Sequence, residues 1–294
     1  MAKFVIDEAF LKQIELLETL IKNNIAGLFG GNHQTRTYGS SCEFADHRDY
    51  LAGDDITKID WNAYARSEQL YLKLFLDERQ MHTRIYVDAS RSMDFDEGKK
   101  STQALKIAVA FAYLSVCQMD KVSVYAIKDK NVYELMSGVV GKEAFFNAVQ
   151  RITDVTFEGD SFISEAILPE NVGYGDGLSI VISDFLTDND YESGLAKIIE
   201  KKRDLMCVQI LTQDEMDPLV RGKVHFFDSE NAEKFYRKNI DREIARAYQK
   251  ALEFTINRIK NFCLHRNASY ILVEAEESLG RVFQEKLLNM GVLK

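Results

Sequence analysis

A chain of 294 residues, 46% hydrophobic and 28% charged, has enough apolar mass for one large domain or for one domain with an appendage. A formal net charge of -9 argues against a nucleic-acid backbone as partner, which needs clustered Lys and Arg. No stretch is long and charge-free enough to span a bilayer, and the N-terminus carries acids where a signal peptide has its apolar centre, so a cytoplasmic location is expected.

Residues 7–27 predict a helix, with Phe10, Ile14, Leu17 and Ile21 on one stripe. "GLFGGNHQTRTYGSS" follows as a loop or linker. From Cys42 to Arg79 acids, aromatics and arginines mix without a period, which predicts loops and short strands. One of these, "QLYLKLFLDE", places Leu70, Leu72 and Leu74 on one face. The four cysteines, Cys42, Cys117, Cys207 and Cys263, are far apart and form no CxxC pair, so reduced thiols are expected.

After His82 the order becomes regular. "RIYVD" reads as a strand, and "KKSTQALKIAVAFAYLSVCQMD" as a helix apolar nearly all round. "KVSVYAIKD" and "NVYELMSG" read as two strands joined by a tight turn, and "GKEAFFNAVQRI" as an amphipathic helix. Then come a strand "DGLSIVISDF", a helix "YESGLAKIIEKK" and a strand "DLMCVQILTQD". A long helix from Asn239, a strand "ASYILVEAE" and a helix "SLGRVFQEKLLNMG" close the chain. Apolar strands alternating with helices predict an α/β fold with a doubly wound, mostly parallel sheet between about residues 82 and 275. Ligand sites in such folds lie beyond the carboxyl ends of the strands.

Two carboxylates sit at that edge. "RIYVDASRSMDF" runs out of its strand into Asp88, Ser90 and Ser92, and "VISDF" ends in Asp184. "FEGDSFISEAI" offers a third contributor from Asp160, Ser161 and Ser164. All of these donors are oxygens, which suits a hard cation: Mg²⁺, Mn²⁺ or Ca²⁺. The competing reading makes the serines caps or turn formers and Asp184 the start of a turn. On either reading Asp88 is expected at a solvent-facing strand end.

The pattern "DASRS", "GDSFISEAI" and "VISDF" resembles the von Willebrand factor A domain and its metal-ion-dependent adhesion site. That resemblance implies Asp88, Ser90, Ser92, Ser161 and Asp184 as the ion's ligands, with Ser161 where the family usually has Thr. The preceding segment is similar to the signature of a bacterial family, domain of unknown function 58. The matching residues are Gly39, Glu43, Phe44, Arg48, Tyr50, Gly53, Asp54, Asp55, Ile59, Asp60, Trp61, Ala65, Arg66, Glu78 and Arg79. Ser41 and Thr57 depart from it, the latter removing a cation. The resemblance divides the chain into residues 1–81, a helix plus signature segment, and residues 82–294, the von Willebrand factor A-like domain. Asp54, Asp55 and Asp60 form either a nuclease-like cluster or, as favoured here, pins that pair with Arg48, Arg66 or Arg79 around an anchoring Trp61.

Three functions compete. The resemblance implies a non-catalytic module that binds a partner's Asp or Glu through Mg²⁺, working with a MoxR-type AAA+ ATPase in assembly or maturation of protein complexes. The alternative is a metal-dependent phosphatase or nuclease at the Asp88/Asp184 edge. Against it, Ser90 replaces the second acid of a DxDx[TV] motif and no histidine lies near the motifs as a base. No P-loop pattern is present. A third reading is a scaffold with a vestigial ion site.

Overall fold

The computed structural model describes residues 4–24, 44–75, 80–175, 177–217, 222–227, 235–240 and 242–287. Contacts divide the chain into two compact units, one made of Met1–Ile25 with Met81–Lys294 and the other of Ala26–Gln80. The first predicted helix is α1, Glu8–Asn24, and it belongs with the larger unit: the Tyr113 hydroxyl donates to Glu18 Oε2 at 3.1 Å.

The smaller unit holds β1 (Phe44–Asp49), α2 (Trp61–Ser67) and β2 (Tyr71–Phe75), with β1 and β2 antiparallel. Its carboxylates are used locally. Asp54 accepts from Arg48 at 2.8 Å and from the Leu51 amide at 2.9 Å. Asp55 caps a short 3-10 turn through the Thr57 amide. Asp60 caps α2 through the Asn62 and Ala63 amides, and its Oδ2 meets His47 Nε2 at 2.8 Å. The His47 hydrogen bond comes first among the contacts that hold the Asp60 pKa down to about 2. Gly53 takes φ +109°, which only glycine adopts freely, and the Tyr50 amide donates to the Leu70 carbonyl.

Of the arginines expected to pin this segment, Arg48 pairs with Asp54, while Arg66 Nε donates to the Asn62 carbonyl one turn back. One expectation needs correction. Trp61 is 59% exposed and anchors no core, because it occupies the first turn of a helix whose buried contact is made by the Asp60 cap. Gly39, Ser41, Glu43, Glu78 and Arg79 lie outside the described residues.

In the larger unit the chain continues with β3 (His82–Asp88), α3 (Phe95–Cys117), β4 (Lys121–Lys128) and β5 (Asn131–Val139). Four short helices follow: α4 (Lys142–Ala148), α5 (Gln150–Thr153), α6 (Ile163–Ala166) and α7 (Pro169–Val172). Next come β6 (Leu178–Ser183), α8 (Glu192–Glu200), β7 (Asp204–Leu211) and α9 (Gln213–Met216). The antiparallel hairpin β8 (Gly222–Phe227) and β9 (Phe235–Ile240), which the sequence reading did not foresee, precedes α10 (Arg242–His265). The last elements are β10 (Ser269–Glu274) and α11 (Leu279–Arg281), the latter running into a π turn at Val282–Leu287.

Six strands form one sheet in the order β10-β7-β6-β3-β4-β5, parallel except for β5. Counted along the chain this is the doubly wound order 3-2-1-4-5-6, reversing between β3 and β6. Alternation along the strands separates the two faces. Tyr86, Val181 and Cys207 join Ile163, Leu195 and Ile259 in a buried cluster beneath α6, α8 and α10. Ile85, Ile180 and Met206 point the other way, where α3 covers β3, β4, β6 and β7. On that side Phe111 of α3 packs on Phe283 with ring centroids 4.9 Å apart. Cys117, Cys207 and Cys263 are free thiols. Among the described residues no helix is long and apolar enough to cross a membrane.

Candidate metal centre

β3 and β6 are parallel neighbours, with Val87 opposite Ile182, so their carboxyl ends deliver Asp88 and Ser183 side by side. This is the strand-order reversal, where the outgoing connections leave toward opposite faces and open a crevice. Asp88 is completely buried, not solvent-facing as expected. The loops fold over it: the Ala89 amide donates to the Ile127 carbonyl, the Arg91 amide to the Gly159 carbonyl, and the Glu158 amide to the Ala89 carbonyl. Both Asp88 oxygens are engaged. Oδ1 accepts from the Ser90 amide at 3.0 Å, and Oδ2 accepts from Ser161 Oγ at 2.8 Å and Ser183 Oγ at 2.6 Å.

Ser161 reaches Asp88 because its loop is stitched to the β4–β5 turn. The Asp129 amide donates to the Asp160 carbonyl, and the Asp160 amide donates to Asp129 Oδ1. Gly159 takes φ +78°, and a Cβ there would collide with the Asp129 carboxylate. Of the three donors offered by that loop only Ser161 enters the centre. Asp160 contributes main chain, and Ser164 turns toward α8, accepting from the Gly194 amide at 2.9 Å. Ser90 and Ser92 lie with their hydroxyl oxygens 3.1 Å apart; Ser90 is buried and Ser92 half-buried.

Asp184 is 3% exposed and held on three sides. Its Oδ1 accepts from the Leu186 amide at 3.1 Å, its carbonyl accepts from Gln209 Nε2 at 2.7 Å, and its Oδ2 accepts from Lys100 Nζ at 2.8 Å. The same ammonium donates to Glu215 Oε1 at 2.6 Å. Glu215 closes a capping box on Thr212 at the start of α9. The sequence reading missed Ser183, Lys100 and Glu215. The only signal was a lysine among the apolar residues of α3, and Ser183 hidden inside "VISDF".

The electrostatics follow. Burial raises the pKa of Asp88, the Asp184 charge raises it further, and hydrogen bonds from Ser183 and Ser90 oppose both. For Lys100 burial works against the charged form, but Asp184 and Glu215 prevail and raise its pKa above the usual lysine range.

The donor chemistry fits a hard divalent cation. It consists of two carboxylates and three serine hydroxyls, with no imidazole or thiolate. Ser161 gives its proton to Asp88 and keeps its lone pairs for a cation; Ser90 and Ser92 share one hydrogen bond and keep lone pairs as well. Among the described residues no group of three or more His, Cys, Asp or Glu is placed to hold a metal ion, so any ion here would depend on the serine hydroxyls. A polar pocket of about 420 Å³ lies at the other end of the same strands, around His82, Arg84 and Lys121, and takes no residue from this centre.

The family model described as "Protein of unknown function DUF58" matches residues 46–255. This chain belongs to the DUF58 family. The match runs from β1 into α10, covering both carboxylates, the serines and Lys100. The uncharacterized protein Rv1480 of Mycobacterium tuberculosis is 28% identical over 106 residues, 36% of this chain and 33% of its own length. The DUF58 chain thus matches about a third of that relative. Among solved structures, an aerotolerance-related membrane protein of Bacteroides fragilis overlaps 73% of this chain and all of its own at 14% identity and TM-score 0.40. The VWA domain of SpRpn10 overlaps 73% of this chain and 94% of its own at 9% identity and TM-score 0.35.

Proposed function

We propose that this DUF58 chain is a non-catalytic protein-binding module whose partner contact runs through a divalent cation. Mg²⁺ is the expected ion, with Mn²⁺ and Ca²⁺ as chemically allowed substitutes, and Asp88, Ser90, Ser92, Ser161 and Asp184 are its ligands. One observation carries the reading: two loops and two strand ends bring hydroxyl and carboxylate oxygens together at the sheet's reversal point. When bound, the ion supplies an electrophilic position that an Asp or Glu of a partner fills.

The chain's own residues shape the contact. Ser92 is half-buried, and exposed Arg91 and half-buried Asp94 beside it in the chain offer a rim with charges of both signs. Such a rim selects partners by complementarity more than it adds affinity. Membership of DUF58 supports a MoxR-type AAA+ ATPase as that partner, in the assembly or maturation of protein complexes.

The phosphatase or nuclease reading is less well supported. Hydrolysis needs a base within reach of a nucleophile. Asp88 already accepts three hydrogen bonds, and the Lys100 ammonium is committed to two carboxylates. The test is calorimetry between the purified chain and the ATPase encoded beside it, in Mg²⁺, in EDTA, and with Ser90→Ala/Ser92→Ala. Binding in Mg²⁺ that disappears in EDTA and in the double variant is expected. Equal binding under all three conditions refutes the reading, and phosphoester turnover lost in the double variant supports the hydrolase.

A further inference from the structure

We infer that Lys100 is the resident cation of this edge: a tethered ammonium that holds Asp184 and Glu215 together in the absence of a divalent ion and sets how tightly such an ion binds. The inference rests on the metal-centre reading above and adds a residue that reading does not contain.

The position of Lys100 is costly by every local rule. Its side chain is 1% exposed, and burial disfavours an ammonium. It also lies in the first turn of the regular part of α3. Asp96, Glu97 and Gly98 all have positive φ, so the helix proper begins only after Gly98. A cation at a helix N-terminus opposes the helix dipole. Its neighbour Lys99 takes the ordinary course, lying partly exposed and pairing with Asp96 at the surface. What places Lys100 inward is therefore the pair of carboxylates, Asp184 Oδ2 at 2.8 Å just past β6 and Glu215 Oε1 at 2.6 Å in α9 beyond β7.

The charges give this arrangement a consequence. Asp88, Asp184 and Glu215 carry three formal negative charges, and Lys100 returns one. With the lysine the edge is compensated enough to fold empty while keeping two negative charges for a divalent ion. Without it, Asp184 and Glu215 would face each other with no cation between them, and Asp88 would keep the Asp184 charge beside it. Lys100 draws on the same Asp184 carboxylate that would serve an ion, so the ammonium and the ion would share it. Lys100 therefore weakens ion binding and removes the need of an ion for folding.

The test uses the full chain as wild type and as Lys100→Met, which keeps the buried aliphatic stem and removes the charge. Thermal unfolding in EDTA and in Mg²⁺ is compared with direct Mn²⁺ titration. The wild type should be folded in EDTA and shift little on adding Mg²⁺. The variant should lose midpoint in EDTA, regain most of it in Mg²⁺, and bind Mn²⁺ roughly ten-fold tighter or more, as removal of a nearby like charge demands. Wild-type Mn²⁺ binding with unchanged affinity in Lys100→Met, or a midpoint loss that Mg²⁺ does not restore, overturns this inference alone. Failure of both proteins to bind Mn²⁺ overturns the metal centre and the inference together. If Lys100→Met does not fold, Glu215→Gln leaves Lys100 to Asp184 alone and should weaken Mn²⁺ binding several-fold; unchanged affinity overturns the inference.

Discussion

Replacing Asp88 should separate folding from ion binding, depending on what replaces it. In Asp88→Ala three buried donors lose their acceptor: the Ser90 amide, the Ser161 hydroxyl and the Ser183 hydroxyl. Each stranded donor costs about 1–3 kcal/mol, though the two hydroxyls can rotate toward other acceptors and lower their share. Part of the loss is offset, because burial and the Asp184 charge already disfavour a charged Asp88. The net expectation is about 2–4 kcal/mol of destabilisation. Asp88→Asn has the same shape and removes the repulsion with Asp184, but its amide nitrogen must face either the Ser90 amide or the two hydroxyls, so it should cost about 1–2 kcal/mol, less than Asp88→Ala. Both variants should lose Mn²⁺ binding. Urea unfolding followed by circular dichroism measures the first quantity; fluorescence of Trp61, the single tryptophan, would report the smaller unit instead. An Asp88→Ala protein as stable as wild type would refute the hydrogen-bond argument, and undiminished Mn²⁺ binding in Asp88→Asn would place the ion elsewhere.

Gly159→Ala should weaken Mn²⁺ binding and cost about 1–3 kcal/mol, since φ +78° and the Asp129 carboxylate both resist a Cβ and the loop carrying Ser161 must shift; wild-type affinity and stability together would sink this. His82 gives a pH prediction at the opposite end of the strands. Burial, then Arg84, Arg203 and Lys121, depress its pKa from 6.5 to about 4. The unfolded chain therefore binds its proton first, and the stability the neutral imidazole provides is complete above pH 6.5 and lost as pH falls toward 4. Discounted for partial exposure, the drop between pH 7 and pH 5 is about 1–2 kcal/mol. His82→Asn should flatten the urea-midpoint profile in that interval; an unchanged slope assigns the titration to another group.

How much of this was legible in the sequence depends on whether a property is local. The apolar runs around Ile85, Val181 and Val208 announced buried parallel strands, and strands that end in Asp88 and Asp184 announced the edge where both carboxylates meet. The loop with Asp160, Ser161 and Ser164 was legible as a contributor, but only the family resemblance singled out Ser161, since nothing in "GDSF" shows that Asp129 will draw that loop inward. Lys100 was legible only as a lysine in an apolar helix, not as one that turns inward. Two consecutive lysines open α3, and which one turns inward is decided by Asp184 and Glu215, 84 and 115 residues away. The solvent-facing Asp88 was misjudged for the same reason: a strand end is exposed unless loops from elsewhere close over it. Trp61 failed in the opposite sense, because an aromatic beside a capping aspartate implies a core contact that its helix does not make.

Main-chain hydrogen bonds also organise the loops of the centre. The Ala89, Arg91, Asp129 and Glu158 amides donate at 2.8–2.9 Å to carbonyls of Ile127, Gly159, Asp160 and Ala89, so the serine-bearing segments are joined main chain to main chain. A ligand set fixed in this way loses little conformational freedom when it closes on a cation, which favours affinity by preorganisation. It also means that removing the ion should not release the loops. Native-state hydrogen exchange at these four amides should show the same protection in EDTA as in Mg²⁺. Protection that collapses in EDTA would mean that the ion itself builds the loops. The serines would then be in place only when the ion is bound, and Lys100 would not suffice to hold the empty edge.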